Sequence, residues 1–266
     1  MAEFLLIRLE GPLQAWGDVA LDPRRPTRDF PSRSALAGLL ANALGWQHMD
    51  GERITALQDS LRYAVREDRA PRRLMDYQTA DLGRIGRSGW TRWGIEERGG
   101  SAADGTQLLW KHYLADGSLL VALTLDGRAP VTLDDIETAL RRPARPLFLG
   151  RKSCPPALPL LERPRHRVEA ASGHAALAEA PLAEQPRHYA QARYYRDTAD
   201  RSASGIVKLR CWYAPDDGPE AKPAQIQQIW DRRDFSANRF EGGRKIVEGS
   251  IELSISTDIT PSEGAT

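Results

Sequence analysis

Phe4-Leu5-Leu6-Ile7-Arg8-Leu9, followed by Gly11-Pro12-Leu13-Gln14-Ala15-Trp16-Gly17 and then Phe30-Pro31-Ser32-Arg33-Ser34, is the stretch that decides the fold. The first six residues form a short, nearly continuous apolar run with turn chemistry after it, the pattern of a buried strand. Two glycines bracket the loop that follows, and glycine lets the backbone approach a neighbour or a ligand closely. From Ser32 onward Leu36, Leu39, Leu40, Ala43 and Leu44 recur at helical spacing on one apolar face. Asp29 or Ser32 supplies a cap, Pro31 suits the first turn, and Gly45 suits the position just past the end.

Outward from there the pattern repeats. Residues 61–66 alternate loosely as a half-buried strand would, and residues 118–125 read as a clear strand. Thr132-Leu133-Asp134-Asp135 opens a second helix with a capping-box pattern, Leu133, Ile136 and Leu140 give its buried stripe, and Pro143 stops it. Ala157-Leu158-Pro159-Leu160-Leu161 is expected as a last strand, an edge or irregular one because of Pro159. The order strand, helix, strand, strand, helix, strand predicts an α+β, ferredoxin-like domain over residues 1–163.

An insertion at about 74–113 is more than such a domain needs. Glycines punctuate it, and Trp90, Trp93 and Trp110 alternate with Arg84, Arg87, Arg92 and Arg98. Long loops of this kind in compact domains are usually functional or disordered. Beyond it a reduced C-terminal lobe is expected over 164–253, with a short alanine-rich helix in 170–183, a strand at 206–213 and a Pro/Gly/Asp-rich loop at 214–223. A polar tail at 254–266 is expected to fray.

Composition narrows the function classes. The chain has 266 residues, 41% hydrophobic and 27% charged, an ordinary globular balance, and no apolar run reaches the roughly 20 residues that span a bilayer. A cytoplasmic protein with no membrane association is expected. Cys154 and Cys211 lack CxxC spacing and the five histidines are scattered, so neither a zinc site nor a disulfide framework is suggested. Gly83-Arg84-Ile85-Gly86-Arg87-Ser88-Gly89 is neither a Walker loop nor a dinucleotide fingerprint, and no cofactor is expected. A net charge of +1 argues against a uniformly basic surface, yet residues 141–167 carry eight arginines and lysines against the single acid Glu162. That segment can neutralise phosphates.

The candidate binding residues each have two readings. Trp16 offers a face for base stacking or is a core tryptophan; Gln14 reads a base edge or closes the turn. Ser32, Arg33 and Ser34 sit where the free N–H groups of a helix N-terminus meet a guanidinium, so they bind a phosphate or simply cap the helix. Arg24, Arg25 and Arg28 extend an anion-binding surface or pair with Asp22 and Asp29. Arg145 and Gly150-Arg151-Lys152-Ser153 belong to the basic segment, where the plain alternative is a solvated loop. Cys154 reads as a small buried side chain. Lys111-His112-Tyr113 sets an amine, an imidazole and a phenol side by side, but adjacent side chains on a strand point to opposite faces.

Together with Leu147-Phe148-Leu149-Gly150-Arg151-Lys152-Ser153-Cys154-Pro155, the two N-terminal segments resemble CRISPR-associated family five, subunits of type I-E Cascade complexes; the similarity covers most of residues 1–160. The resemblance implies an RNA-recognition-type ferredoxin-like fold, with the 74–113 insertion as an extended hairpin, the thumb. It implies that the 150–153 loop lies against RNA backbone and that the protein caps the 5′ handle of the crRNA. Its partners would be the Cascade backbone subunit (CasC-like) and the large subunit (CasA-like), with target DNA reached only indirectly. It implies no catalysis, since another subunit is the nuclease. A repeat-specific, metal-independent endoribonuclease of the same superfamily is the alternative, and a protein-only scaffold the third reading.

Overall fold

The apolar run near the N-terminus becomes β1 (Ala2–Glu10), whose residues alternate between two cores. Leu5, Ile7 and Leu9 enter one hydrophobic cluster and Phe4 and Leu6 the other, which is why the run is continuously apolar. The computed structural model describes residues 1–18, 23–80, 88–91, 94–97, 107–182 and 206–254. After β1 come the short strands β2 (Leu13–Gln14) and β3 (Arg24–Arg25), then α1 (Arg33–Ala43) and α2 (Gly51–Ser60). β4 (Leu61–Arg69) and β5 (Arg72–Ala80) precede β6 (Ser88–Thr91) and β7 (Gly94–Glu97). β8 (Gln107–Ala115), β9 (Ser118–Leu125), α3 (Leu133–Arg141), β10 (Arg167–Ala170) and α4 (Gly173–Glu179) follow. β11 (Ile206–Tyr213), β12 (Ile226–Asp234) and β13 (Arg239–Ser254) complete the described chain.

Among the described residues, seven strands form one antiparallel sheet in the order β10-β1-β9-β4-β11-β13-β12. Leu36 and Leu40 of α1, Leu57 of α2 and Ile136 of α3 pack on one face, and Ala176 and Leu177 of α4 on the other. The molecule is therefore a mixed α+β structure with a large antiparallel sheet between two helical layers. The sheet runs on across residue 163, because β11 bonds to β4 through Cys211 opposite Arg66 and Trp212 opposite Val65.

Caps appear where the sequence places them. Ser32 accepts from the Ala35 N–H at 3.1 Å, Gly45 adopts φ +81 after α1, and Thr132 and Asp135 close a reciprocal capping box. The segment at 157–161 is the irregular partner of β1 rather than a strand. Arg8 donates to Leu160 and Glu162 donates to Leu6, but the ladder holds only the isolated bridge Ile7–Leu161, and regular pairing resumes at β10. Pro155, Pro156 and Pro159 supply no N–H, which is why the ladder fails there.

β4 continues into β5 and β8 into β9, so the insertion is an outward extension of the central β4–β9 pair. β5 and β8 stay in register from Arg72 opposite Ala115 to Ala80 opposite Gln107. β8 also carries β2 and, in parallel, β3, tying the N-terminal loop to the base of this hairpin.

Buried charge ties β1 and β4 to the segments that flank β10 and α4. Arg8 binds Asp68 at 2.7 Å and Glu162 at 2.5 Å; Asp68 also takes Arg66 at 2.6 Å. Arg66 donates onward to the carbonyls of Leu177, Ala180 and Pro181 at the end of α4.

Candidate nucleic-acid interface

Two loops far apart in sequence meet backbone to backbone. Gly150 has φ +91, and a Cβ on it would lie 1.8 Å from the Ala15 carbonyl oxygen, so only glycine fits. Gly11 is pressed the same way against the Pro155 carbonyl, where a Cβ would approach to 2.7 Å. Ala15 donates to the Leu149 carbonyl at 3.0 Å, closing the junction. Arg151 then reaches across it: its guanidinium donates to the carbonyls of His112 (2.9 Å) and Arg25 (2.8 Å) and lies over the Tyr113 ring. Arg151 is thus a staple between β3, β8 and the 149–154 loop.

The N-terminal loop resolves its paired readings toward structure. Gln14 is fully buried; its Nε2 donates to the carbonyls of Leu9 (3.0 Å) and Gly117 (2.8 Å), and its Oε1 accepts from Trp16 Nε1 (3.2 Å). It closes the turn and has no amide edge left for a base. Trp16 is 3% exposed and belongs to the core, so the expectation of a stacking platform is corrected: an indole so enclosed has no free face to offer.

The helix N-terminus is likewise in use. Ser32 caps α1 and its hydroxyl lies 3.2 Å from that of Ser34; both are buried. The anion that the N–H of Arg33 meets is the carboxylate of Asp231, at 2.9 Å, delivered by β12 and held from behind by Arg244 at 3.1 Å. The phosphate seat expected at Ser32-Arg33-Ser34 is filled from within the chain, because a helix N-terminus attracts a buried carboxylate as readily as a ligand.

The remaining cations divide into two groups. Arg28 pairs with Asp18 at 2.6 Å, and Arg145 donates to Asn42 Oδ1 at 2.9 Å and to the Trp46 carbonyl, anchoring its loop to the end of α1. Arg25 donates to the Arg24 carbonyl. Arg24 and Lys152 are exposed, and Ser153 is exposed with its hydroxyl 3.5 Å from that of Tyr113. Arg84, Arg87, Arg92 and Trp93 lie outside the described residues, and of Trp90 only the strand placement in β6 is described.

Between these loops, α1 and the C-terminal hairpin lies a cavity of about 870 Å³. Trp16, Arg28, Arg145, Gly150 and Arg151 border it from one side, Trp230, Arg233, Phe235 and Phe240 from the other. The sequence reading missed the second wall. Its signal was Trp230-Asp231-Arg232-Arg233-Asp234-Phe235, which interleaves aromatic and basic residues as the insertion does.

Nucleophilic chemistry finds little support here. Tyr113 is buried beneath Arg151, and Cys154 and Cys211 are buried thiols that burial pushes up, Cys211 to about 12. His166 is bound to Glu137 at 3.0 Å. Among the described residues no group of three or more His, Cys, Asp or Glu could hold a metal ion, and no helix is long and apolar enough to cross a membrane.

Comparison with known proteins places this geometry in context. A family model described as CRISPR-associated protein (Cas_Cas5) matches residues 4–247. The CRISPR system Cascade subunit CasD of Escherichia coli (strain K12) is 38% identical over 168 residues, 60% of this chain and 70% of that relative. A chain of a CRISPR RNA-guided surveillance complex is similar with a TM-score of 0.65 at 27% identity, covering 94% of this chain and 90% of that one. A second solved structure, described as the crystal structure of a Cas protein, gives 0.50 at 26% identity, with 93% and 94% covered.

Proposed function

The chain belongs to the Cas5 family of CRISPR-associated proteins, and on that premise we propose that it is the subunit of a type I-E Cascade surveillance complex that binds and caps the 5′ handle of the crRNA. The observation that carries this reading is the closure of the 11–17, 24–28 and 145–153 segments on one cavity bordered by arginines. Single-stranded RNA is bound by positively charged grooves with aromatic faces, and base pairing by the guide then reads the DNA. Arg24 and Lys152 take phosphates; Gly150, Arg151 and Ser153 hold the loop that presents them; Arg28 and Arg145 line the groove.

The strand order β10-β1-β9-β4, with α1 and α3 packed on one face, supports a ferredoxin-like assignment for the N-terminal part of the chain, its fourth strand being β10 at 167–170, just past the expected boundary at 163, with the remainder to 253 as an accessory C-terminal lobe. The β5–β8 hairpin is the base of a thumb that reaches the CasC-like backbone subunit, and the CasA-like large subunit is the other neighbour. The protein acts in the cytoplasm without a cofactor and does not cleave RNA; enclosure of Tyr113 under Arg151 supports this over the endoribonuclease alternative.

The test is a salt titration of RNA binding. Removing one phosphate-neutralising side chain lowers the log–log slope by about 0.7 for a single strand, so Arg24→Ala with Lys152→Ala is expected to lower it by about 1.4. An unchanged slope in folded variant overturns the assignment of these cations. Repeat RNA incubated with the wild type in EDTA is expected to remain intact, and cleavage would restore the endoribonuclease reading.

A further inference from the structure

The C-terminal hairpin brings to the cavity what the N-terminal loops lack, exposed aromatic faces. Trp230 is 57% exposed and Phe240 59%, and both line the cavity. Trp230 sits on β12, the edge strand, opposite Gly243. A Cβ on Gly243 would lie 2.7 Å from the Ile229 carbonyl oxygen, 2.8 Å from Gln228 Nε2 and 3.3 Å from Trp230 Cδ2, so the glycine lets the partner strand and the indole lie close over it.

Two polar anchors hold this wall in place. Asp231, next to Trp230 and 1% exposed, joins the N-terminus of α1 and Arg244. Gln58 of α2 exchanges two hydrogen bonds with the backbone of Arg233, each 3.0 Å. Trp230 and Arg233 are therefore presented from a backbone fixed to the helical layer, and preorganised groups lose little freedom when a ligand arrives.

The charge around the cavity selects the occupant. Among the described lining residues, four arginines face one carboxylate, and that carboxylate, Asp18, is already paired with Arg28. An apolar protein patch seated here would bury four guanidinium charges, of which, among the described lining residues, only that of Arg28 is balanced by a carboxylate, and this is costly. Unpaired nucleotides satisfy both features, with phosphates for the arginines and π-faces for Trp230 and Phe240. A duplex offers only stacked bases, and its faces are not available. The volume lies within the roughly 300–1,000 Å³ of ordinary ligand sites.

Resting on the RNA-binding reading above, we infer that the β12–β13 hairpin is a base-stacking wall, with Trp230 and Phe240 each receiving a base of unpaired RNA and Arg233 and Arg145 drawing in its phosphates. This gives the C-terminal lobe a direct part in holding RNA.

The experiment uses the full chain with a labelled single-stranded repeat transcript from its own CRISPR locus and the same RNA annealed to its complement. Anisotropy gives the Kd, and tryptophan fluorescence reports stacking. Trp230→Ala and Phe240→Ala are each expected to weaken single-strand binding by about 5- to 100-fold, Trp230→Phe to restore most of the loss, and the duplex to bind weakly with little quenching. Thermal melts check that each variant is folded, and Phe240→Ala carries the test if Trp230→Ala is not. Wild-type affinity in both alanine variants, with the salt slope still falling for Lys152→Ala, would overturn the stacking wall and leave the RNA reading standing. Unchanged RNA affinity with loss of a neighbouring protein subunit from the assembled complex would give the face to protein instead. Failure of the wild type to bind either RNA, alone or in the complex, would overturn the RNA-binding reading itself.

Discussion

The N-terminal loop and the C-terminal hairpin each set a tryptophan beside glycine, and the two rings end in opposite environments. Trp16 is drawn into the core, its Nε1 held by Gln14, while Trp230 lies over Gly243 with more than half its surface in solvent. The glycines admit different neighbours. Those of the N-terminal junction let two backbones touch; Gly243 admits both backbone and ring, since its Cβ would lie 2.7 Å from the Ile229 carbonyl oxygen and 3.3 Å from Trp230 Cδ2. A glycine beside an aromatic therefore says that something approaches closely, and the tertiary contacts decide whether that is the chain itself or a ligand.

The contrast is broken most decisively by truncating both rings. Trp16→Ala empties a core site and is expected to cost about 3–5 kcal/mol of stability, whereas Trp230→Ala, on the surface, should stay within about 0.5 kcal/mol in denaturant unfolding. Comparable losses in the two variants would end the distinction between core ring and wall ring.

Next in size is Gly150→Ala. The left-handed backbone and the clash with Ala15 together are expected to cost roughly 2–4 kcal/mol and to loosen RNA binding through the displaced loop. A melting temperature equal to wild type would show that the junction yields.

Asp231→Asn tests the anchor of the opposite wall. Removing the charge that faces Arg244 and the α1 N-terminus is expected to cost about 1–3 kcal/mol, and to raise proteolytic cutting in β12 ahead of β1. Uniform cutting along the chain would argue against the hairpin depending on this anchor.

The smallest effect concerns α3, which leads into the 145–153 loop. Glu137 is drawn from its ordinary 4.5 to about 2, first by the hydrogen bond from Arg141 and then by those from Arg167 and His166. A depressed carboxylate stabilises fully above its unfolded value and loses that contribution as pH falls. Wild type should therefore exceed Glu137→Gln by at most about 1 kcal/mol at pH 7, as partly solvated pairs do. The gap should close as pH drops from about 4.5 toward 2. A gap independent of pH would mean that the glutamine loses packing rather than charge.

Much of the architecture was legible. Residues 118–125 and 206–213 are strands over the predicted spans, and the Ser32 and Thr132 caps start α1 and α3. Each signal lies within a few residues of the element it marks. α2 was missed because Gly51 to Ser60 turns only a few apolar side chains inward, chiefly Ile54 and Leu57. β12 and β13 were missed because only a few positions on them are buried. The candidate site was legible as composition: the glycines, the 145–153 basic segment and the N-terminal loop do converge. Its division of labour was not, since Asp231 meets Arg33 across 198 positions and Arg151 spends its donors on carbonyls of two other strands.

By itself the sequence determined the caps and the buried central strands, because these depend on local stereochemistry and on the alternation of apolar residues; of the two glycines that bracket the N-terminal loop, a Cβ on Gly11 would meet another backbone and one on Gly17 would meet nothing within 4 Å. Only the tertiary structure decided which arginines are staples and which are exposed, which carboxylate sits at the α1 N-terminus, and which tryptophan faces solvent. Those outcomes are set by partners distant in the chain, and a guanidinium or an indole has the same local preferences whether its neighbour turns out to be a carbonyl, a carboxylate or water.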